Sequence, residues 1–252
     1  MSQSTGDQDS VSVDYSEADV VHILRDGEVI GGHQIPWSSN YTFLVQIDAG
    51  PGRFLRAVYK PKSGERPLHD FPNGTLYRRE YASFLIGREL GWPPVPLTLI
   101  REGPYGLGSM QIYIESDPRI TYFDLISDHF EPLRRFAAFD LVVNNADRKG
   151  GHCILGRDGT VWSIDHGLTF HTDFKLRTVM MEFWGGSLED TLLPDIESLI
   201  DRLSVTNDLT DELNEMLTHN EIDLLRQRAE TVLDDPIFPQ LDPRLNIPWP
   251  LE

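Results

Sequence analysis

Apolar and polar positions alternate over short runs in the first half of the chain, as they do in β-strands. Residues 41–48 and 53–61 are rich in β-branched and aromatic side chains, and the turn sequence AGPG separates them. This pattern predicts an antiparallel hairpin. Two more short strands are predicted at 95–100 and 108–116, on either side of a turn that contains glycine and proline.

Helical spacing appears twice within this part of the chain. Residues 15–29 have apolar side chains at helical spacing, and Ser16 stands where an N-cap is expected. Residues 75–90 form a second such pattern, with Thr75 as the N-cap. The sequence therefore predicts one helix before the hairpin and one after it.

From about residue 119 the pattern becomes helical. Helices are predicted at 121–128, 131–142, 189–203, 208–217 and 219–233. Thr218 and Glu221 form a capping box at the start of the last one. Strands followed by helices are typical of an α+β fold. Residues 1–13 are mostly polar and are predicted to be a disordered tail, and the five prolines of 234–252 predict an extended tail.

The net charge of the chain limits the kinds of molecule that it can bind. Of the 252 residues, 40 are acidic and 22 are basic, which gives a formal net charge of −18. Such a surface repels nucleic-acid phosphates and anionic lipid headgroups, so we expect no nucleic-acid partner and no stable membrane association. The single cysteine, Cys153, excludes an internal disulfide, and the sequence begins without a signal-peptide pattern. We therefore expect a cytoplasmic protein.

Two aspartates are the first candidates for chemistry. Asp147 and Asp165 stand in turns flanked by strand-like residues, close enough in sequence for one β-hairpin to bring them together. Burying a carboxylate is costly unless it is paired or bound to a metal. A base and a magnesium ligand are the acidic groups that phosphoryl transfer requires, so the pair predicts such a site. On spacing alone, two solvated loop residues are the favoured alternative.

Three further features are compatible with phosphate binding. Lys60 lies near the end of a predicted strand, and Glu80 on the next helix is placed to pair with it; ordinary exposed side chains are the alternative for both. The polar turn Ser38, Ser39 and Asn40 offers hydroxyls, an amide and backbone N–H groups to phosphates, although a capped polar turn is the default interpretation. His152, five residues after Asp147, is a candidate metal ligand or a solvated loop histidine.

The order of these segments resembles the phosphatidylinositol 3-/4-kinase superfamily, and most closely its type II phosphatidylinositol 4-kinases and their bacterial relatives. The resemblance runs from about residue 36 to 175. The segments that carry it are AVYKPKSGERP, RREYASFLIGRELGWPPVPLT, GSMQIYIES, NNADRKGGHCIL and IDHGLTF. Five matching segments in the same order make a chance match improbable.

The resemblance implies a two-lobed protein-kinase-like fold. It has a small β-rich N-lobe with one key helix at 14–116, a mainly helical C-lobe at 117–235 and a Pro-rich tail at 236–252. It also implies roles for single residues: Lys60 binds ATP and Glu80 positions it, backbone groups around Gln111, Tyr113 and Glu115 hold adenine, Asp147 is the catalytic aspartate, and Asp165 is a metal ligand. Three further roles are our own hypotheses from the residues. Ser38, Ser39 and Asn40 cover the phosphates, His152 holds the metal with Asp165, and Arg148 stabilises either the transition state or its own loop.

The chain departs from the family pattern at two histidines. The family usually has Asn where this chain has His152 and His166. Because imidazole is a poorer magnesium ligand than an oxygen, Mn²⁺ is a candidate metal beside Mg²⁺. The cysteine cluster that allows type II lipid kinases to be palmitoylated has no counterpart here. Its absence favours a protein or soluble small-molecule acceptor over a membrane lipid.

The sequence thus predicts a kinase that uses ATP and Mg²⁺ or Mn²⁺ to phosphorylate a hydroxyl of a protein, including itself, or of a soluble small molecule. A nucleotide-sensing pseudokinase is one alternative, supported by His152 and the Pro-rich tail. A phosphatidylinositol kinase is the other, since the fold alone does not identify the acceptor.

Overall fold

A five-stranded antiparallel sheet forms the first lobe. The computed structural model describes residues 15–36 and 40–252, so the predicted disordered tail, Ser38 and Ser39 lie outside the described residues. The strands are β1 Val29–Gln34, β2 Phe43–Asp48, β3 Phe54–Pro61, β4 Thr98–Gly103 and β5 Gly106–Ile112, in the order β1-β2-β3-β5-β4. The predicted hairpin is confirmed as β2–β3, with Phe43 opposite Tyr59.

Two helices accompany the sheet. Helix α1, Glu17–Asp26, begins at the predicted cap, because the Ser16 hydroxyl accepts the Asp19 amide hydrogen and completes a capping box. Helix α2, Leu76–Leu90, begins one residue after Thr75, as predicted. The Thr75 hydroxyl instead donates to the Pro72 carbonyl at 2.7 Å. A carboxylate oxygen of Glu65 accepts the Tyr77 amide hydrogen at the start of α2.

The second lobe is built mainly from helices. They are α3 Tyr122–Leu125, α4 Phe130–Val143, α5 Leu193–Leu203, α6 Asp208–Met216, α7 His219–Asp234 and α8 Pro243–Asn246. A large apolar core holds this lobe together and includes the buried Phe136, Phe139, Leu199 and Leu225. Because Leu85 and Ile86 of α2 belong to the same core, α2 packs against the helical lobe as well as against the sheet.

The structure differs from the predicted elements at several places, and both ends of the chain show this. The first helix ends at Asp26 and not at residue 29, and Val29–Gln34 form strand β1, which the sequence did not predict. This edge strand contains Gly32, where a Cβ atom would lie 2.8 Å from the Leu44 carbonyl oxygen, so glycine permits the close approach to β2. The predicted extended tail contains the short helix α8.

A two-stranded hairpin carries the two aspartates. Its strands are β6 Cys153–Leu155 and β7 Val161–Ser163. Asp147 lies in the loop before β6, called the Asp147 loop below (residues 144–152), and Asp165 follows β7. Asp165 has a φ of 60°, a left-handed conformation that aspartate tolerates better than most residues.

Candidate active site

A cavity of about 560 Å³ separates the sheet from the Asp147 loop. Its walls are largely aliphatic, with Val58, Ile112, Ile114, Ile154 and Ile164 among them. Polar side chains lie along one part of the lining, which includes Lys60, His152 and Asp165. A concave, mostly apolar pocket with a few convergent polar groups is the usual form of a small-molecule site.

Lys60 joins both lobes at this polar part of the lining. Its ammonium group forms an ion pair with Glu80 of α2 and lies 2.7 Å from Oδ1 of Asp165. Glu80 also accepts the backbone N–H of His166 at 3.0 Å, so both of its oxygens are engaged. Burial opposes ionisation of Asp165, but its charged and hydrogen-bonded partners, with the Lys60 ammonium first among them, together outweigh burial and lower the pKa of Asp165. This part of the lining therefore contains the positive charge of Lys60 beside the acidic side chains of Glu80 and Asp165.

Helix α2 is fixed in the position that this ion pair needs. Arg79, next to Glu80, is buried between the lobes. Its guanidinium donates to the Thr169 carbonyl oxygen at 2.6 Å and forms an ion pair with Glu221 of α7. It also lies 5.1 Å from the ring centroid of Phe71. Arg79 thus connects α2 to two parts of the helical lobe.

Replacing Arg79 by Met should lower the free energy of unfolding by roughly 3 kcal/mol, because Glu221 would be left buried without its cation. Urea denaturation measures this loss. Arg88→Met is the matched control on the same helix, since Arg88 is half-exposed and 3.7 Å from Glu212; its effect should stay below about 1 kcal/mol. Equal losses in the two variants would contradict the role given to Arg79.

Asp147 lines a smaller cavity of about 170 Å³ beside the first, together with Lys60, Glu80 and Asp165. Burial raises the pKa of Asp147 to about 6, although the Lys149 ammonium 3.2 Å away opposes the shift. At pH 7 the group is therefore mainly a carboxylate, with a basicity that suits proton transfer near neutral pH.

His152 faces Asp165. Its Nε2 atom lies 3.3 Å from Oδ2 of Asp165. Burial lowers the pKa of His152 to about 4, so the ring is neutral at pH 7. Its Nδ1 atom accepts the Lys149 amide hydrogen at 3.4 Å, which places the ring proton on Nε2, so a metal bound at Nε2 would require the other tautomer. One carboxylate and one imidazole fit a Mg²⁺ or Mn²⁺ ion that takes its other ligands from phosphates and water. Within the described ranges, no group of three or more acidic, histidine or cysteine side chains is placed to hold a metal alone.

Arg148 is fully buried in the Asp147 loop and lines neither cavity. Its guanidinium binds both carboxylate oxygens of Asp140 in α4, at 2.7 and 2.8 Å. It also donates to the carbonyl oxygens of His152 and Ile164 and to the Ser163 hydroxyl. Of the two roles predicted for Arg148, these contacts favour stabilising the loop, because the guanidinium has no open path to a phosphate.

Two of the three residues predicted to hold adenine line the larger cavity, and the third does not. Gln111 and Tyr113 line the larger cavity. The Tyr113 amide already donates to the Arg56 carbonyl oxygen at 3.0 Å. Glu115 does not line the cavity, and its carboxylate lies 2.9 Å from Arg157 and 3.3 Å from Arg56. These contacts involve the Glu115 side chain, whereas the predicted contact with adenine involves backbone groups, so that role stays a prediction.

Of the predicted phosphate turn, only Asn40 belongs to the described residues. Asn40 lines the smaller cavity, where its side-chain oxygen accepts the Arg66 amide hydrogen at 2.8 Å. This contact therefore connects Asn40 to the chain after β3.

Sequence reasoning missed two buried carboxylates that support the site. Asp140 interrupts the apolar run FAAFDLVV of α4, and such an isolated charge in a core helix is a detectable signal for a buried partner. Glu221 was interpreted only as a capping residue, which it is, but it also pairs with Arg79.

Solved structures identify the class of fold. The Golgi casein kinase with Mn/ADP bound aligns with a TM-score of 0.51 and 14% identity, over 86% of this chain and 74% of that chain. The Helicobacter pylori proinflammatory kinase CtkA aligns with a TM-score of 0.51 and 11% identity, over 85% and 94%. The protein therefore has a two-lobed, kinase-like α+β fold, which confirms the predicted fold class.

Sequence relatives define the family. Protein Rv2133c of Mycobacterium tuberculosis is 39% identical over 263 residues, which cover 90% of this chain and 94% of that protein. The chain belongs to the family of Protein Rv2133c. Phosphatidylinositol 4-kinase gamma 4 of Arabidopsis thaliana is 27% identical over 115 residues, 40% of this chain and 20% of that protein. No family model matches the sequence.

No helix among residues 15–36 and 40–252 has the length and apolar character that crossing a bilayer requires.

Proposed function

We propose that the protein is an ATP-dependent kinase that transfers the γ-phosphoryl group to a hydroxyl of a protein, including itself, or of a soluble small molecule. One observation carries the proposal: the Lys60 ammonium contacts both Glu80 and Asp165 beside an apolar cavity, and Asp147 lies in the adjoining cavity. Positioning and charge neutralisation of this kind account for most of the catalysis in phosphoryl transfer.

Each side chain has one task in this mechanism. The aliphatic walls hold the adenine, and Lys60, kept in place by Glu80, binds phosphate oxygens. Asp165 and His152 would hold a Mg²⁺ or Mn²⁺ ion, and the ion would supply charge neutralisation at the phosphates. Asp147 accepts the proton of the acceptor hydroxyl while the new O–P bond forms and the bond to ADP breaks. Arg148 keeps the Asp147 loop in its conformation.

Two observations support a relation to the phosphatidylinositol 3-/4-kinase superfamily. The 115-residue match to phosphatidylinositol 4-kinase gamma 4 supports it, as does the order of the five segments quoted above. A lipid acceptor is therefore an alternative to the protein or small-molecule acceptor. Phosphorylation of phosphatidylinositol vesicles would favour the lipid.

A nucleotide-sensing pseudokinase is the second candidate. The observation in its favour is the imidazole of His152 against Asp165, where an oxygen ligand would suit Mg²⁺ better. Such a protein would bind ATP without transferring phosphate.

The test is an acceptor screen with labelled ATP and either Mg²⁺ or Mn²⁺. We expect ADP release and a mass gain of about 80 Da on the acceptor or on the protein itself. Asp165→Asn serves as the blank, because it removes one metal ligand and one partner of Lys60. ATP binding without turnover under both metals and with every acceptor class would favour the pseudokinase.

Replacing His152 by Asn should shift the metal preference towards Mg²⁺. The ratio of Mn²⁺- to Mg²⁺-supported kcat/KM should fall on the order of tenfold, since an amide oxygen replaces a neutral nitrogen ligand. Steady-state kinetics with each metal measure the ratio. His22→Asn is the control, because His22 is exposed on α1, and an equal shift in that variant would refute the assignment.

A further inference from the structure

Residues 246–251, called the strap below, lie beside the Asp147 loop. Helix α8 leads into the strap and is capped by Asp242, whose carboxylate accepts the Arg244 amide hydrogen at 3.0 Å. Upstream, Phe238 is buried and its carbonyl oxygen accepts the Gly185 amide hydrogen. The strap is therefore anchored to the helical lobe before it reaches the loop.

The strap contacts the Asp147 loop directly. The Gly150 amide, three residues after Asp147, donates to the Leu251 carbonyl oxygen at 2.8 Å. Gly150 is buried, and a Cβ atom at this position would lie 2.8 Å from the Phe123 ring. The absence of a side chain thus allows this part of the loop to sit close to Phe123.

A second contact reaches the loop through a neighbouring segment. The Asn246 carbonyl oxygen accepts the Thr178 amide hydrogen at 2.8 Å, and the Asn246 side-chain amide donates to the Leu176 carbonyl oxygen at 2.6 Å. Between these two residues, the Arg177 carbonyl oxygen accepts the Arg148 amide hydrogen at 3.0 Å. One strap therefore supports the Asp147 loop at Gly150 and, through residues 176–178, at Arg148.

The strap contributes little to the apolar core. Pro248 is buried, but Trp249 is 87% exposed, and Leu245 just before the strap is 70% exposed. The contacts with the loop are hydrogen bonds of the backbone and of one amide side chain. Their removal should affect the loop more than the stability of the lobe.

From these contacts we infer that the strap is a positioning element of the active site, which holds Asp147 where it can accept the proton of the acceptor hydroxyl. The catalytic part of this inference rests on the proposed function. Displacing a catalytic group by about 1 Å can cost on the order of 100-fold in rate. The strap acts through Gly150 and Arg148. Neither these two residues nor those of the strap line the cavity expected to bind ATP.

The experiment compares the full chain with a chain shortened to end at Pro250, which lacks the Leu251 carbonyl group. Losing this hydrogen bond should speed amide exchange at Gly150 and in residues 145–152 by about tenfold. The kcat should fall by at least about tenfold while KM for ATP stays within about twofold. The Tm should remain close to that of the full chain.

Two variants serve as controls. A chain shortened to end at Leu251 keeps an acceptor oxygen at that residue, and Leu245→Ala alters an exposed side chain just before the strap. Both should retain the exchange rates and kcat of the full chain. Unchanged exchange in residues 145–152 of the chain that ends at Pro250 would overturn the inference. An equal increase across α4 and α5 would also overturn it, because that is a loss of fold stability.

The kinase proposal and the inference about the strap can fail independently, and different measurements test them. If the full chain transfers no phosphate to any acceptor under either metal, the kinase proposal fails. The exchange rate at Gly150 still decides whether the strap holds the Asp147 loop, since that measurement requires no turnover.

Discussion

Replacing Asp147 by Asn should lower phosphoryl transfer by roughly 10³-fold while leaving nucleotide affinity nearly unchanged. The amide has the shape of the carboxylate but cannot accept the proton of the acceptor hydroxyl. ATP should still bind, because the aliphatic cavity, Lys60 and Asp165 remain in place. Single-turnover kinetics and equilibrium binding of ATP separate the two effects. A parallel loss of binding and turnover would show that Asp147 supports the nucleotide and not the proton transfer.

The same substitution should stabilise the nucleotide-free protein at pH 7. The pKa of Asp147 is about 6 in the folded state, above the ordinary value of 3.8. Because the folded state holds this proton more tightly, the group's contribution to stability is present below pH 4 and is lost as pH rises through 6. Asn carries no charge to bury, so the variant should gain roughly 1–2 kcal/mol at pH 7, an amount reduced for partial exposure to solvent.

Calorimetry at two pH values tests this effect. A gain of that size should raise Tm by roughly 2–6 °C at pH 7, and the difference should nearly disappear at pH 4. Asp201→Asn, an exposed position on α5, should show no such pH-dependent gain. An Asp147→Asn gain that is equal at both pH values would exclude burial of the charge as its cause.

Replacing Arg148 by Met should cause the largest loss of stability among the variants considered, roughly 5 kcal/mol. The substitution leaves the Asp140 carboxylate buried without a cation and removes donors from two carbonyl oxygens and the Ser163 hydroxyl. Urea denaturation should show this loss. If the loop depends on the pair, phosphoryl transfer should also fall in variants that remain folded.

An exposed ion pair provides the matched control. Arg119 lies 2.7 Å from Asp117, at the same distance as the buried pair, but on the surface. Arg119→Met should leave the urea midpoint unchanged. A double-mutant cycle with Asp140→Asn measures the coupling, and additive effects of the two substitutions would contradict a direct pair.

The sequence was sufficient for the elements whose signals are local. The hairpin β2–β3, the caps at Ser16 and Thr218 and the helices of the second lobe follow from periodicity and neighbouring residues. Strand β1 was missed because its sequence, VIGGHQ, lacks alternation and contains two glycines. Its strand conformation depends on pairing with β2, which is a tertiary interaction.

Recognition of the site depended on the order of the segments, since Lys60 and Asp165 are 105 positions apart in sequence. The supporting pairs could not be predicted in the same way. Arg79 and Glu221 are 142 positions apart, and many acidic side chains compete as partners in so acidic a chain. The contacts of residues 246–251 could not be predicted either. A hydrogen bond between two backbone groups does not depend on a particular side chain, so the sequence carries no signal for it.

The burial of Arg79 also bears on how the protein is controlled. A kinase can be switched off when the helix that carries its glutamate swings outward and separates that residue from the lysine. Here such a swing would first have to break the Arg79–Glu221 pair, in which both side chains are buried. Lys60 and Glu80 are thus already paired in the nucleotide-free protein. Under the proposed function, we expect acceptor supply to set the rate of phosphoryl transfer more than a movement of α2 does.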